Sequence, residues 1–156
     1  MGTVLVAVDG SPGAEAALDA ALELAKATGD GVVLVTAWRE LRGDFGLPYE
    51  RLLAPDVADA ERDWAERTLA AAAEKARAAG VEVETECRHG TAAPEICAVA
   101  RERDVRLIAV GSHGFGALEG VLFGSVSRGV LHEAPCPVLV VPEPAPEEPA
   151  AQASRR

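Results

Sequence analysis

Short apolar runs alternate along the chain with longer stretches of helical period. Thr3-Val4-Leu5-Val6-Ala7-Val8 has almost no polar alternation, as expected of a strand buried on both faces. Asp9-Gly10-Ser11-Pro12 ends it. Ser11 is placed to cap a helix, and Pro12 suits the first helical position. Ala14, Ala17, Leu18, Ala21, Leu22 and Ala25 then recur at helical spacing until Gly29-Asp30-Gly31 stops them. Val32 to Trp38 predicts a second buried strand, and Arg39 to about Pro55 an irregular surface loop. From Asp56 to Ala79 the pattern is a long Ala-rich amphipathic helix with Ala65, Leu69, Ala72, Ala76 and Ala79 on its apolar stripe, ended by Gly80.

Val81 to Cys87 alternates Val with Glu, which predicts a half-exposed edge strand. His89-Gly90-Thr91 reads as a turn, with Thr91 capping a helix through about Glu102. Arg106 to Val110 is another buried run, and Gly111-Ser112-His113-Gly114-Phe115-Gly116 a glycine loop. Ser125 to Glu133 predicts a helix, and Cys136 to Val141 a last strand among Pro135, Pro137 and Pro142. Glu143 to Arg156, rich in Pro, Ala and Glu, reads as a disordered tail behind a single domain, 1–142.

Strands alternating with helices imply parallel pairing. The expected fold is α/β: a five-stranded parallel, doubly wound sheet in a three-layer α/β/α sandwich. Ligands of such sheets bind at the carboxyl ends of strands, where the strand order reverses. That rule points to Asp9, to Ala37 and to the glycine loop.

Composition narrows the partners. The 156 residues carry a formal net charge of -10, which argues against a general nucleic-acid binder or a protein that sits on anionic membranes. Small anions held by local backbone amides remain open. Aromatics make up only 4%, so the core rests on Ala, Val and Leu. Cys87, Cys97 and Cys136 form no C-x-x-C pair, and no signal-peptide pattern or membrane-length apolar run is present. The expected setting is reducing and cytoplasmic.

The richest chemistry lies between Val110 and Ser127. Glycines let backbone amides approach phosphate oxygens without a Cβ in the way. Gly124-Ser125 opens the next helix, so its free N–H groups and dipole suit an anion. Ser125 and Ser127 add hydroxyls, and Arg128 adds charge if helical phase does not turn it to solvent. The same glycines also suit a plain tight turn, and the pattern alone leaves both readings standing. No Walker P-loop is present, since Lys26 and Lys75 are the only lysines and both fall in helices. The first turn, Asp9-Gly10-Ser11-Pro12-Gly13, is no dinucleotide fingerprint either.

From Val4 to Val141 the sequence resembles the universal stress protein family. The resemblance is carried by Val6-Ala7-Val8-Asp9-Gly10-Ser11, by Gly111-Ser112-His113-Gly114 with Gly124-Ser125-Val126-Ser127, and by Ala134-Pro135-Cys136-Pro137-Val138-Leu139-Val140-Val141. Gly111, Gly114, Gly124 and Ser125 satisfy the family's ATP-binding pattern, G-x2-G-x9-G-[ST]. The resemblance implies a Rossmann-like, adenine nucleotide alpha-hydrolase-like fold and the ATP-binding subclass. It implies Gly111 and Gly114 along the ribose and phosphates, and Gly124, Ser125, Val126 and Ser127 around the phosphates. Ala7 and Asp9 at the first strand join them, Asp9 at the ribose or at Mg²⁺ brought by ATP. Ala37 presents backbone to the adenine. Phe115 departs from the polar or basic residue frequent at its position.

Other residues have plainer readings. Asp9 also suits a cap for the first turn. His113 reads as a rim residue rather than a catalyst, and His89 and His132 have no partner identifiable from spacing. The cysteines read as small packing residues, as do Trp38 and Trp64 on a larger scale. The apolar final strand would leave a bare sheet edge; antiparallel pairing of Val138, Leu139, Val140 and Val141 with a second copy closes it into a homodimer. The expected function is an ATP-dependent regulator of stress response or dormancy that acts on a protein partner, not a fast catalyst. The alternatives are a slow ATPase or phosphotransferase at the same site, and a nucleotide-free interaction module.

Overall fold

The computed structural model describes residues 1–39, 55–114 and 123–144. Among the described residues nine elements follow one another: β1 (Thr3–Ala7), α1 (Pro12–Thr28), β2 (Gly31–Trp38), α2 (Pro55–Ala78), β3 (Val83–His89), α3 (Ala92–Glu102), β4 (Leu107–Gly111), α4 (Ser125–Glu133) and β5 (Val138–Val141). All strand pairs are parallel, in the order β3-β2-β1-β4-β5. The expected five-stranded doubly wound sheet is therefore present. The order reverses between β1 and β4.

The side-chain alternation of the central strands makes two cores. Val4, Val6, Val32 and Leu34 pack with α1 and α2 through Leu18, Leu22, Leu69 and Ala76. Leu5, Val33, Val35, Ile108 and Val110 point the other way and pack with α3 and α4 through Ile96, Val99 and Val130. Because β1, β2 and β4 are covered on both faces, their sequences are almost entirely apolar, and the buried Thr36 hydroxyl of β2 donates to the Val8 carbonyl at 2.8 Å.

Local signals explain the boundaries. The Ser11 hydroxyl accepts from the Ala14 amide at 3.2 Å, and Gly29 ends α1 in the left-handed region with φ 73°. Gly80, with φ 78°, ends the turn after α2. Thr91 stands at the N-cap of α3 but makes no side-chain capping bond, contrary to expectation. β3 starts at Val83 instead of Val81. Val81 is a buried residue whose amide donates to Ala76 behind α2. β3 also runs on through His89, which the residue pattern placed in a turn. Pairing decides this: His89 lies opposite Trp38, and the Gly90 amide donates to the Trp38 carbonyl at 2.8 Å. β4 likewise includes Gly111, and β5 begins at Val138 rather than Cys136. Most of the loop expected from Arg39 to Pro55, the glycine-loop residues Phe115 and Gly116, and the tail beyond residue 144 lie outside the described residues.

Candidate functional site

A cavity of about 490 Å³ opens at the carboxyl ends of the strands, beside the reversal point between β1 and β4. Ala7 and Asp9 bring β1 to it, Val35 and Ala37 bring β2, and Val110 and Gly111 bring β4. Ala92 and Ile96 of α3 form an apolar wall, and Gly124, Ser125, Val126 and Ser127 place the first turn of α4 on it. Every residue expected to touch a nucleotide therefore lines this one cavity: Ala7, Asp9, Ala37, Gly111, Gly114, Gly124, Ser125, Val126 and Ser127.

The glycines differ in what they do. A Cβ on Gly111 would stand 2.5 Å from the carbonyl carbon of Gly13. The end of β4 thus lies on the backbone of α1, and the fold itself requires this glycine. At Gly114 an added Cβ would stand 2.8 Å from Asp9 Oδ2, so the loop runs directly past that carboxylate. Gly124 is free of such demands. Its φ is -74°, and its nearest neighbours to an added Cβ, His113 Cα and the Ser112 carbonyl oxygen, lie at an ordinary 3.5 Å.

Ser112 ties the ends of the loop together. Its amide donates to Val141 at 2.8 Å, and its carbonyl accepts from the Gly124 amide at 2.7 Å and the Ser127 hydroxyl at 2.9 Å. The Ser127 hydroxyl also lies 3.0 Å from the Gly124 carbonyl. Ser127 was expected to offer its hydroxyl to phosphate; in the structure that hydroxyl holds the loop against α4. The amides of Ser125, Val126 and Ser127 occupy the first turn, where helix geometry provides no intrahelical acceptor, and the helix dipole adds positive potential there.

Asp9 takes the turn role expected of it and also borders the cavity. Its Oδ1 accepts from the Ser11 amide at 2.9 Å and shapes the turn into α1, while the carboxylate borders the cavity. The His113 ring nitrogen Nδ1 lies 3.2 Å from the Ser112 hydroxyl, on the cavity wall. Arg128 reaches the cavity as well, with Nη2 donating to the Phe123 carbonyl at 3.3 Å.

Trp64 corrects the sequence reading. It is 39% exposed and lines the cavity, and it also lines a second cavity together with Val8, Ala14, Thr68, Ala71 and Ala72. The spacing 64, 68, 71, 72 along α2 was the available signal, since it marks one helical face. Trp38 is a packing residue as expected, with its ring centroid 4.5 Å from that of His89. Ser11, Ala14 and Phe123 also line the site without having been singled out for it.

The cysteines are free, and Cys97 is fully buried. Burial pushes all three thiols above their ordinary range, with Glu66 adding to the effect at Cys87, so none is poised as a thiolate nucleophile. Among the described residues no cluster of three or more His, Cys, Asp or Glu is arranged to hold a metal ion. No described helix is long and apolar enough to cross a membrane.

Comparison with known proteins places this architecture. Residues 1–142 match the model of the universal stress protein family. The universal stress protein YxiE of Bacillus subtilis is 36% identical over 145 residues, covering 88% of this chain and 97% of YxiE. Among solved structures, UspA from Lactobacillus plantarum superimposes with a TM-score of 0.77 over 90% of this chain and 97% of its own, at 23% identity. A universal stress protein in complex with cAMP gives a TM-score of 0.68 at 27% identity, covering 92% of this chain and 98% of that one. The chain belongs to the universal stress protein family.

Proposed function

We propose that the cavity is an adenine-nucleotide site and that the protein is an ATP-binding regulator acting as a homodimer. One observation carries the reading: Gly124 at the head of α4 has no structural need to be glycine, yet it stands where an anion meets the helix amides. A bare backbone there keeps room for phosphate. The related structure that holds cAMP supports the same ligand class. The volume of the cavity is within the range of small-molecule sites.

In this reading the base lies against the apolar side formed by Ala7, Val35, Ala37 and Ile96, with Ala37 offering backbone. Phosphates lie against Gly114, Gly124 and the amides of Ser125, Val126 and Ser127. Asp9 takes ribose hydroxyls, or Mg²⁺ carried by the phosphates, since Mg²⁺ commonly uses one or two carboxylates together with substrate phosphates. Net charge of -10 is no obstacle, because the cradle works through amides, the Ser125 hydroxyl and a helix end. Bound nucleotide then alters the surface around the glycine loop that a protein partner in the cytoplasm reads. Denaturing the protein as purified from cells and identifying the released small molecule tests the ligand: an adenine nucleotide supports the reading, and a different ligand class overturns it.

A further inference from the structure

The phosphate end of the cavity has an uneven charge. Among the described lining residues Asp9 carries a carboxylate, and Arg128 is the one arginine or lysine. Arg128 is the fourth residue of α4. Side chains on a helix lean toward its N-terminus, and this one does so, returning to the carbonyl of Phe123 just before the helix. That bond is long, at 3.3 Å, and the residue is exposed. The guanidinium therefore borders the cavity, and among the described residues its side chain is held by this long bond.

The first-turn amides of Ser125, Val126 and Ser127 are fixed in place and few, so they suffice for the phosphate nearest the helix. Each further phosphate adds negative charge, and Arg128 is the cation among the described lining residues available to meet it. A guanidinium matches phosphate oxygens with two parallel N–H bonds, which a carbonyl cannot offer it.

Resting on the nucleotide reading above, we propose that Arg128 reads the length of the phosphate chain. It exchanges the Phe123 carbonyl for the terminal phosphate of a nucleoside triphosphate and leaves a monophosphate untouched. The protein thereby separates triphosphate from monophosphate with one movable side chain, although both share the same base and ribose contacts.

Calorimetric titration of the wild type, Arg128→Gln and Arg128→Lys with ATP and with AMP tests this. Arg128→Gln is expected to weaken ATP about tenfold, the scale of a charged hydrogen-bonded contact near the surface, and to leave AMP unchanged. Arg128→Lys, which keeps the charge and loses the paired geometry, is expected to fall between. An ATP-to-AMP affinity ratio equal in wild type and Arg128→Gln overturns the proposal while leaving the nucleotide site intact. A wild type that binds neither nucleotide overturns both. Thermal midpoints of the exposed-site variants, expected to match the wild type, separate a folding defect from a binding effect.

Discussion

Gly111 and Gly13 interlock. A Cβ on Gly111 would stand 2.5 Å from the Gly13 carbonyl carbon, and one on Gly13 would stand 2.4 Å from the His113 carbonyl oxygen. Backbone cannot retreat as a flexible side chain can, so the contact fixes how closely β4 and the glycine loop approach α1. Gly111→Ala is expected to destabilise the fold by about 1–3 kcal/mol, the usual cost of overpacking. Urea unfolding measures it. An unchanged midpoint would show that the loop has slack there.

Gly124 predicts the opposite separation. With φ -74° and ordinary 3.5 Å neighbours, it accepts a methyl group without strain. Gly124→Ala is expected to unfold like the wild type, yet to bind ATP more weakly; Gly124→Val, with a bulkier β-branched side chain, should lose more. A variant that binds as well as wild type removes Gly124 from the phosphate cradle.

Trp64 supplies an optical readout. It is one of two tryptophans, and the other, Trp38, stands against His89. Nucleotide entering the cavity is expected to change the emission of Trp64, and Trp64→Phe should abolish most of that change. A signal that survives in Trp64→Phe would assign it to Trp38.

Asp30 sets an acid limit on stability. The Thr28 hydroxyl donates to its Oδ2 at 2.6 Å, the Gly2 amide donates to Oδ1 at 2.8 Å, and Arg106 lies 3.1 Å away. The Thr28 bond, then the Gly2 bond and Arg106, hold the carboxyl below its ordinary 3.8, against the opposing effect of burial. A depressed folded value means the stabilisation is present above the unfolded value and is lost as pH falls through the folded one. Asp30→Asn should lower the denaturation midpoint at neutral pH, and the gap to wild type should close in acid. A gap that stays constant in acid would contradict the assignment.

The two sheet edges predict how copies associate. On β3, Arg103 bridges Glu84 and Glu86, and Arg88 pairs with Glu86 and Glu102. Charged side chains on an edge discourage further strand pairing. On β5, Val138, Leu139, Val140 and Val141 are all apolar and only half-buried. Sedimentation at micromolar concentration is expected to show a dimer; a monomer would contradict pairing through β5.

Strands buried on both faces were legible because they are nearly all apolar and lack polar alternation, and α1 because Ser11, Pro12 and Gly29 mark both its ends. β3 was harder: its last residues, Arg88 and His89, carry no strand signal and are held by pairing with Ala37 and Trp38. The cavity lining was legible through the reversal rule, the glycine loop and the family resemblance. What pattern reading could not separate was one glycine from another. Gly111 meets the backbone of α1 and Gly124 only ordinary van der Waals neighbours, and the Gly111 contact is made by Gly13, nearly one hundred positions away in the chain. Trp64 was missed for a related reason, since only tertiary packing turns that face of α2 toward the site.

Equilibrium titration of nucleotide-free protein with ATP tests the central claim most directly. Saturable binding that weakens in Gly124→Val without loss of fold is the predicted result. A correctly folded wild type that shows no binding at millimolar ATP would contradict the account and leave the glycines with a structural role alone.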